Sequence, residues 1–255
     1  MNWKIPGDRT EPVITASKHI ASSHGGSDVR RLPETCVIFE MGMAIPFVED
    51  HFSTDTIIAH VPGFITDQKC IGIADNRRIC LIQGGYGAPA AVDTLETVLA
   101  LGVKRVVVIG MCGGFSADLL VGDVVVPQKI FCEEGTSQHY LGDVQYVLPD
   151  RALQNALAAH FASRFHVFEQ PSVSTDAVYR QTMAKEADWR DRGCVAVDME
   201  ASALLAVCEY YSVPAAAALL CSDRHPLPHE ETVWNWGSER FRENRNAFIE
   251  HAVSY

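Results

Sequence analysis

No uninterrupted apolar run of 18 residues occurs in this chain of 255, so no segment could cross a bilayer as a simple helix. The opening Met1-Asn2-Trp3-Lys4-Ile5-Pro6-Gly7 lacks the apolar centre of a secretory signal, and a cytoplasmic protein without a membrane partner is expected. Positive charge is scarce. With 21 Lys+Arg against 32 Asp+Glu the formal net charge is -11, which repels phosphate backbones and argues against a polymeric nucleic-acid partner. None of the eight cysteines forms a C-x-x-C pair, and most lie in apolar runs such as Ile79-Cys80-Leu81 and Leu219-Leu220-Cys221. They read as reduced, buried thiols, and neither a zinc framework nor any other metal or cofactor is expected. Walker A and G-x-G-x-x-G loops are missing too, as are low-complexity tracts and repeats of 20 to 50 residues. What remains is ordinary globular composition, 47% apolar and 21% charged, sufficient for a packed core.

Residues 1–34 carry mixed charge, Pro, Ser and Gly without a sustained period, and read as an N-terminal arm with at most one short helix near residues 14–21. From residue 35 to 255 the pattern is that of a single domain. Short β-branched runs end in glycine or polar residues and lead into helical periodicity: 36–39, 79–82 and 105–109 as strands, 89–101 as a helix stopped by Gly102. The rhythm continues with a strand at 124–126, a helix at 149–160, an extended stretch at 165–173 and a helix at 198–211. A buried strand at 215–220 and a last helix at 239–253, with Phe241, Phe248 and Ile249 inward, complete it. Strand, loop, helix, strand is the signature of an α/β fold on a largely parallel sheet.

In such a sheet ligands bind beyond the carboxyl ends of the strands, so the polar residues there are the candidates. Gly110-Met111-Cys112-Gly113-Gly114 follows an apolar strand and reads either as a backbone nest for a ligand or as a tight turn. In Asp198-Met199-Glu200 the acids either cap the following helix or grip a vicinal diol, with Met199 under a sugar ring. Asp223, in Ser222-Asp223-Arg224, is a candidate general acid, a salt-bridge partner of Arg224 or a cap. Ser174-Thr175-Asp176-Ala177-Val178-Tyr179 suits a pocket wall or a plain turn.

Taken in order, Gly-x-Cys-Gly-Gly, Gly122-Asp123-Val124-Val125-Val126-Pro127, Glu134-Gly135-Thr136-Ser137, Ser174-Thr175-Asp176, Val197-Asp198-Met199-Glu200-Ala201-Ser202 and Ser222-Asp223 resemble the nucleoside phosphorylase superfamily, of the purine nucleoside and uridine phosphorylase type. The motifs look most similar to short bacterial AMP nucleosidases. The resemblance implies a three-layer α/β/α sandwich around a mixed, largely parallel sheet, assembled as dimers or trimers of dimers. It also implies cleavage of the N-glycosidic bond of a purine nucleoside or nucleotide. By position, Glu200 would hold the ribose hydroxyls, Met199 would lie beneath the sugar, and Asp223 would protonate N7 of the base, which requires a pKa well above about 3.9. Val178 falls where the family stacks an aromatic, with Tyr179 as its substitute. Asp198, Met111, Cys112, Gly113, Ser222, Gly42, His60 and Arg240 complete the implied substrate-binding set.

The resemblance breaks at the inorganic phosphate site. Gly42 is kept, but the family's two arginines fall at Pro46 and Val108 and its hydroxyl at Met111. A neighbouring subunit's arginine falls near Ala59, beside His60. At roughly 1.5 to 3 kcal/mol per charged hydrogen bond, two lost arginines cost about 3 to 6 kcal/mol, or about 2 to 4 decades of phosphate affinity. Water is therefore the expected acceptor, with phosphorolysis and a non-catalytic binding or storage role as alternatives. No glutamate falls clearly where hydrolytic relatives place a water-activating base; Glu40, Glu133 and Glu134 are the nearby options, and each reads first as a structural residue. Lys18, Arg30 and Arg31 read as solvated surface or as ligands of a substrate 5'-phosphate.

Overall fold

The computed structural model describes residues 5, 8, 10–22, 30–63, 68–228, 230–231 and 233–255. In chain order the first half comprises α1 (Ala16–Ile20), β1 (Thr35–Glu40), α2 (Ala44–His51), β2 (Thr54–Val61), β3 (Gln68–Ile73), β4 (Asn76–Gln83), α3 (Ala88–Ala100) and β5 (Arg105–Gly114). Next come β6 (Val124–Val125), β7 (Ile130–Glu133), α4 (Ser137–Leu141), β8 (Tyr146–Val147), α5 (Arg151–Ala162), β9 (Val167–Phe168), β10 (Ser172–Thr175) and α6 (Met183–Asp191). The chain closes with β11 (Ala196–Asp198), α7 (Ala201–Tyr210), β12 (Ala215–Arg224) and α8 (Glu239–Val253).

The strands form one mixed sheet in the order β2-β3-β4-β1-β5-β11-β10-β7-β8, with β12 joined to β5 and β6, and β9 to β6. Its centre is parallel: β1 pairs with β4 and β5, and β5 with β12. The β2-β3-β4 edge and the β5-β11 junction are antiparallel.

Period-two alternation in the central strands sends side chains to both faces, and two cores result. Cys36 and Ile38 of β1, Val106 and Val108 of β5, and Ala217 and Leu219 of β12 join one core, covered by Leu95 of α3 and Leu204 of α7. Val37, Phe39, Val107, Ile109, Ala218 and Leu220 join the other, beneath Val48 of α2, Leu157 of α5 and Phe248 of α8. The architecture is therefore the expected α/β/α sandwich. The described part of the N-terminal segment lies against it: α1 touches α3, and buried Leu32 donates its backbone N–H to the Leu101 carbonyl at 2.9 Å. Among the described residues no helix is long and apolar enough to cross a membrane.

One sequence expectation is corrected. The glycine-rich 110–114 segment is neither a nest nor a turn; it continues β5, because β12 extends beside it through Gly110↔Leu219 and Cys112↔Cys221. A bulge then brings Asp223 opposite Gly113. Gly113 and Gly114 lack the positive φ that a nest uses. Glycine at 113 makes room instead, since a Cβ there would stand 2.5 Å from Nε2 of His225. Two boundaries also shift: the 165–173 stretch splits into β9 and β10, and α7 starts only at Ala201.

Candidate functional site

A cavity of about 1050 Å³ opens where β4, β1, β5, β11 and β12 end. Of the sequence candidates, Gly42, Met111, Cys112, Gly113, Val178, Tyr179, Asp198, Met199, Glu200, Ser222 and Asp223 line it. His60, on β2, and Arg240, in the first turn of α8, are exposed and outside the lining. Lys18, Arg30 and Arg31 also lie outside it, and the Lys18 ammonium donates to the carbonyls of Pro12 and Val13.

The two acids at the β11–α7 junction divide the tasks left open by the sequence. Asp198 serves the fold: it accepts from the backbone N–H groups of Ala201 (2.7 Å) and Glu200 (3.2 Å) and from Ser174 Oγ (2.5 Å), capping α7 from three residues before its first residue. Burial pushes its pKa up to about 6. Glu200 turns towards the cavity, one oxygen accepting the Gly87 N–H at 2.7 Å. Gly87 precedes α3 with φ 83° and ψ 155°, a conformation that excludes other residues, so the N–H that orients Glu200 depends on glycine. Burial, with the charge of Asp198 adding to it, pushes Glu200 up to about 8.

Asp223 sits among donors. Oδ1 accepts from Ser222 Oγ at 2.5 Å and Oδ2 from Trp234 Nε1 at 2.7 Å, while His225 Nε2 lies 3.4 Å from Oδ2. Burial alone would raise its pKa, but the hydrogen bonds from His225, Ser222 and Trp234 outweigh burial and hold it below the usual value. This corrects the expectation of a protonated Asp223: the carboxyl is buried, but its neighbours stabilise the anion. A second carboxylate, Glu186, stands on the far side of His225. His225 Nδ1 lies 2.6 Å from Glu186 Oε1 on α6. Burial works against charge on His225, yet the two flanking carboxylates raise it to about 9. The sequence reading missed Glu186, His225, Trp234 and Trp236, all in the lining. Two tryptophans in the otherwise polar segment after Asp223 were the available signal for the last two.

Glu40, at the end of β1, is buried, and its Oε1 has no hydrogen-bond partner. Burial, with Glu200 and Asp198 nearby, raises its pKa well above the usual value. Gly84 provides its space, since a Cβ there would overlap the carboxylate. Glu133 instead pairs with Lys185 at 3.1 Å, and Glu134 is buried against Ser137 and Ser202. Of the positions that would hold inorganic phosphate, Pro46 and Met111 line the cavity, whereas Val108 is in the core and Ala59 is exposed on β2. The lining holds six carboxylates, Glu40, Glu49, Glu186, Asp198, Glu200 and Asp223. Against them stand His225 and the Lys69 ammonium, which pairs with Glu49.

A family model described as the phosphorylase superfamily matches residues 37–254. The chain belongs to the phosphorylase superfamily. A guanosine phosphorylase of Halorubrum lacusprofundi is 31% identical over 144 residues, 56% of this chain and 60% of that relative, so the match spans less than two thirds of its length. A DeoD-type purine nucleoside phosphorylase of Exiguobacterium sp. is 27% identical over 241 residues, 91% of this chain and 98% of the relative. Among solved structures, purine nucleoside phosphorylase from Toxoplasma gondii in complex with immucillin-H matches with a TM-score of 0.75 at 15% identity, covering 92% of this chain and 94% of that one. At that identity the match speaks for the shared superfamily fold.

Proposed function

We propose that this chain cleaves the N-glycosidic bond of a purine nucleoside and releases the free base, with water as the acceptor. The observation that carries the reading is one cavity lined both by a carboxylate suited to a ribose diol, Glu200, and by a buried acid–base group, Asp223 with His225. The names of the relatives favour a purine nucleoside as substrate. As the bond from C1' to N9 stretches, the sugar becomes oxocarbenium-like and the base gathers negative charge. Anionic Glu200 would favour the first charge through the hydroxyls, and a proton delivered at N7 would neutralise the second.

The charge balance of the lining supports water. Six acidic residues line the cavity, no arginine is among the described lining residues, and Lys69 is already paired with Glu49, so an anionic acceptor finds little positive charge to hold it. The same balance favours a nucleoside over a 5'-nucleotide. Glu40, with its unpartnered oxygen beside Glu200 and a raised pKa that makes its carboxylate form a strong base, is the group to take the proton from water once its own proton has left. Phosphorolysis is the second reading, and the phosphorylase names of the relatives favour it. A panel of purine nucleosides and AMP, assayed for free base with and without phosphate, separates the two. Base release without phosphate and free ribose as product are expected. Strict phosphate dependence with ribose 1-phosphate as product would establish phosphorolysis, and no base release from any compound would leave a binding protein.

A further inference from the structure

Asp223 faces a chemical difficulty in the proposed role: its surroundings favour the carboxylate, and a carboxylate has no proton to give to a departing purine. The proton is stored next door. His225 is fixed at three points: its backbone N–H donates to the Gly114 carbonyl at 2.7 Å, Nδ1 meets Glu186 Oε1 at 2.6 Å, and Nε2 faces Asp223 Oδ2 at 3.4 Å. Gly113 leaves the space that the ring occupies. Only the imidazolium has hydrogens on both ring nitrogens, so only it can serve both carboxylates at once. Glu186 is buried on α6, with the Arg190 guanidinium 3.8 Å from its other oxygen. The groups facing the imidazole are therefore Glu186 and, behind it, Arg190 on α6, and Asp223 on β12.

We infer that His225, oriented by Glu186, is the positioning residue that supplies the leaving-group proton through Asp223. This rests on the proposed purine cleavage. When the bond to N9 breaks, its electron pair goes to the base. Asp223 first takes a proton from Nε2 of His225 and then passes it to N7 of the departing base. Asp223 ends as the carboxylate it began as, and His225 ends neutral. Water adds its oxygen to C1' and loses a proton, and solvent reprotonates His225, so protons and charge balance over the cycle. The 3.4 Å separation is long for a charged hydrogen bond, and such contacts tighten when substrate closes the site.

The test uses the intact protein with inosine and guanosine, whose base needs a proton, and with 4-nitrophenyl riboside, whose phenolate leaves without one. His225→Gln should lower kcat on the nucleosides by about 100-fold or more and change kcat on the nitrophenyl riboside less than threefold. In the parent, nucleoside cleavage should fall on the alkaline side near pH 9. That limb should move to lower pH in Glu186→Gln and vanish in His225→Gln. Ring NMR of substrate-free protein gives a reading that needs no turnover: His225 should titrate near 9 in the parent and lower in Glu186→Gln. Equal losses on both substrate types, an unmoved alkaline limb, or an imidazole titrating at its ordinary value would each overturn the inference. A parent inert on all three compounds would instead overturn the proposed cleavage itself, and this inference with it.

Discussion

Glu200→Gln should separate catalysis from stability in opposite directions. Gln keeps a carbonyl oxygen for the Gly87 N–H that Glu200 now accepts at 2.7 Å, so the local fold holds. Its NH2 group can only donate to the ribose hydroxyls, where an anion would have accepted from both. Two lost charged hydrogen bonds at roughly 1.5 to 3 kcal/mol each amount to about 3 to 6 kcal/mol, or about 2 to 4 decades in kcat/KM. Stability goes the other way. Glu200 rises from 4.5 to about 8 by burial and by the charge of Asp198. A carboxyl raised in the folded state contributes stability that is fully present below its unfolded value and is lost as pH rises through the folded one. The native protein therefore loses on the order of 1.4 kcal/mol per pH unit across that window, and the amide, which does not titrate, removes this slope. Thermal melts at pH 5 and pH 8, alongside initial rates on purine nucleosides, check both halves. A variant as fast as the parent, or one whose melting temperature falls between pH 5 and 8 as steeply as the parent's, refutes the assignment of Glu200.

Asp223→Asn should slow purine nucleosides far more than a nitrophenyl riboside, because only the former need the relayed proton; comparable losses in kinetic assays would make Asp223 a structural residue. Glu40→Gln should lower base release in phosphate-free buffer by roughly 10²- to 10⁴-fold, the usual range for a lost general base, and added phosphate should not restore it. An unchanged rate in phosphate-free buffer would place Glu40 outside the water-activating role. Gly113→Ala should displace the His225 ring, since the new Cβ would stand 2.5 Å from Nε2; unchanged nucleoside kinetics together with an unchanged imidazole titration would contradict that geometry.

The sheet was legible wherever the sequence repeats one simple pattern. The apolar runs of β1, β4, β5 and β12 are covered on both faces, and α8 was bounded correctly at 239–253 because its few apolar residues stand on one helical face. The β2–β3 edge was not read, because strands that face solvent carry polar residues, as in Thr54–Val61, and do not form an apolar run. Helix α6 is mostly polar, with Glu186 and Trp189 as its buried residues, and periodicity gives it no signature. The misread at 110–114 has a different origin. Glycine is permissive in turns, but here it admits a neighbouring ring beside a strand, and that neighbour, His225, lies more than a hundred residues away.

The site divides along the same line. Motif order located Glu200, Met199 and Asp223 because they sit at strand ends, which a pattern of apolar runs marks well. The protonation of Asp223 depends on side chains arriving from elsewhere: Trp234 from the segment after β12, and His225 bridged to Glu186 on α6. An aspartate buried alone would bind its proton more tightly. Buried against an imidazolium and two further donors, it remains the anion, and acid function in the proposed reaction belongs to the pair. The cavity carries a related consequence. Its carboxylates are individually disfavoured by burial, Glu40 and Glu200 most visibly, and in the substrate-free protein they hold protons to limit mutual repulsion. In the proposed reaction a sugar that turns cationic in the transition state would supply the missing counter-charge and favour the carboxylate forms where the glycosidic bond breaks.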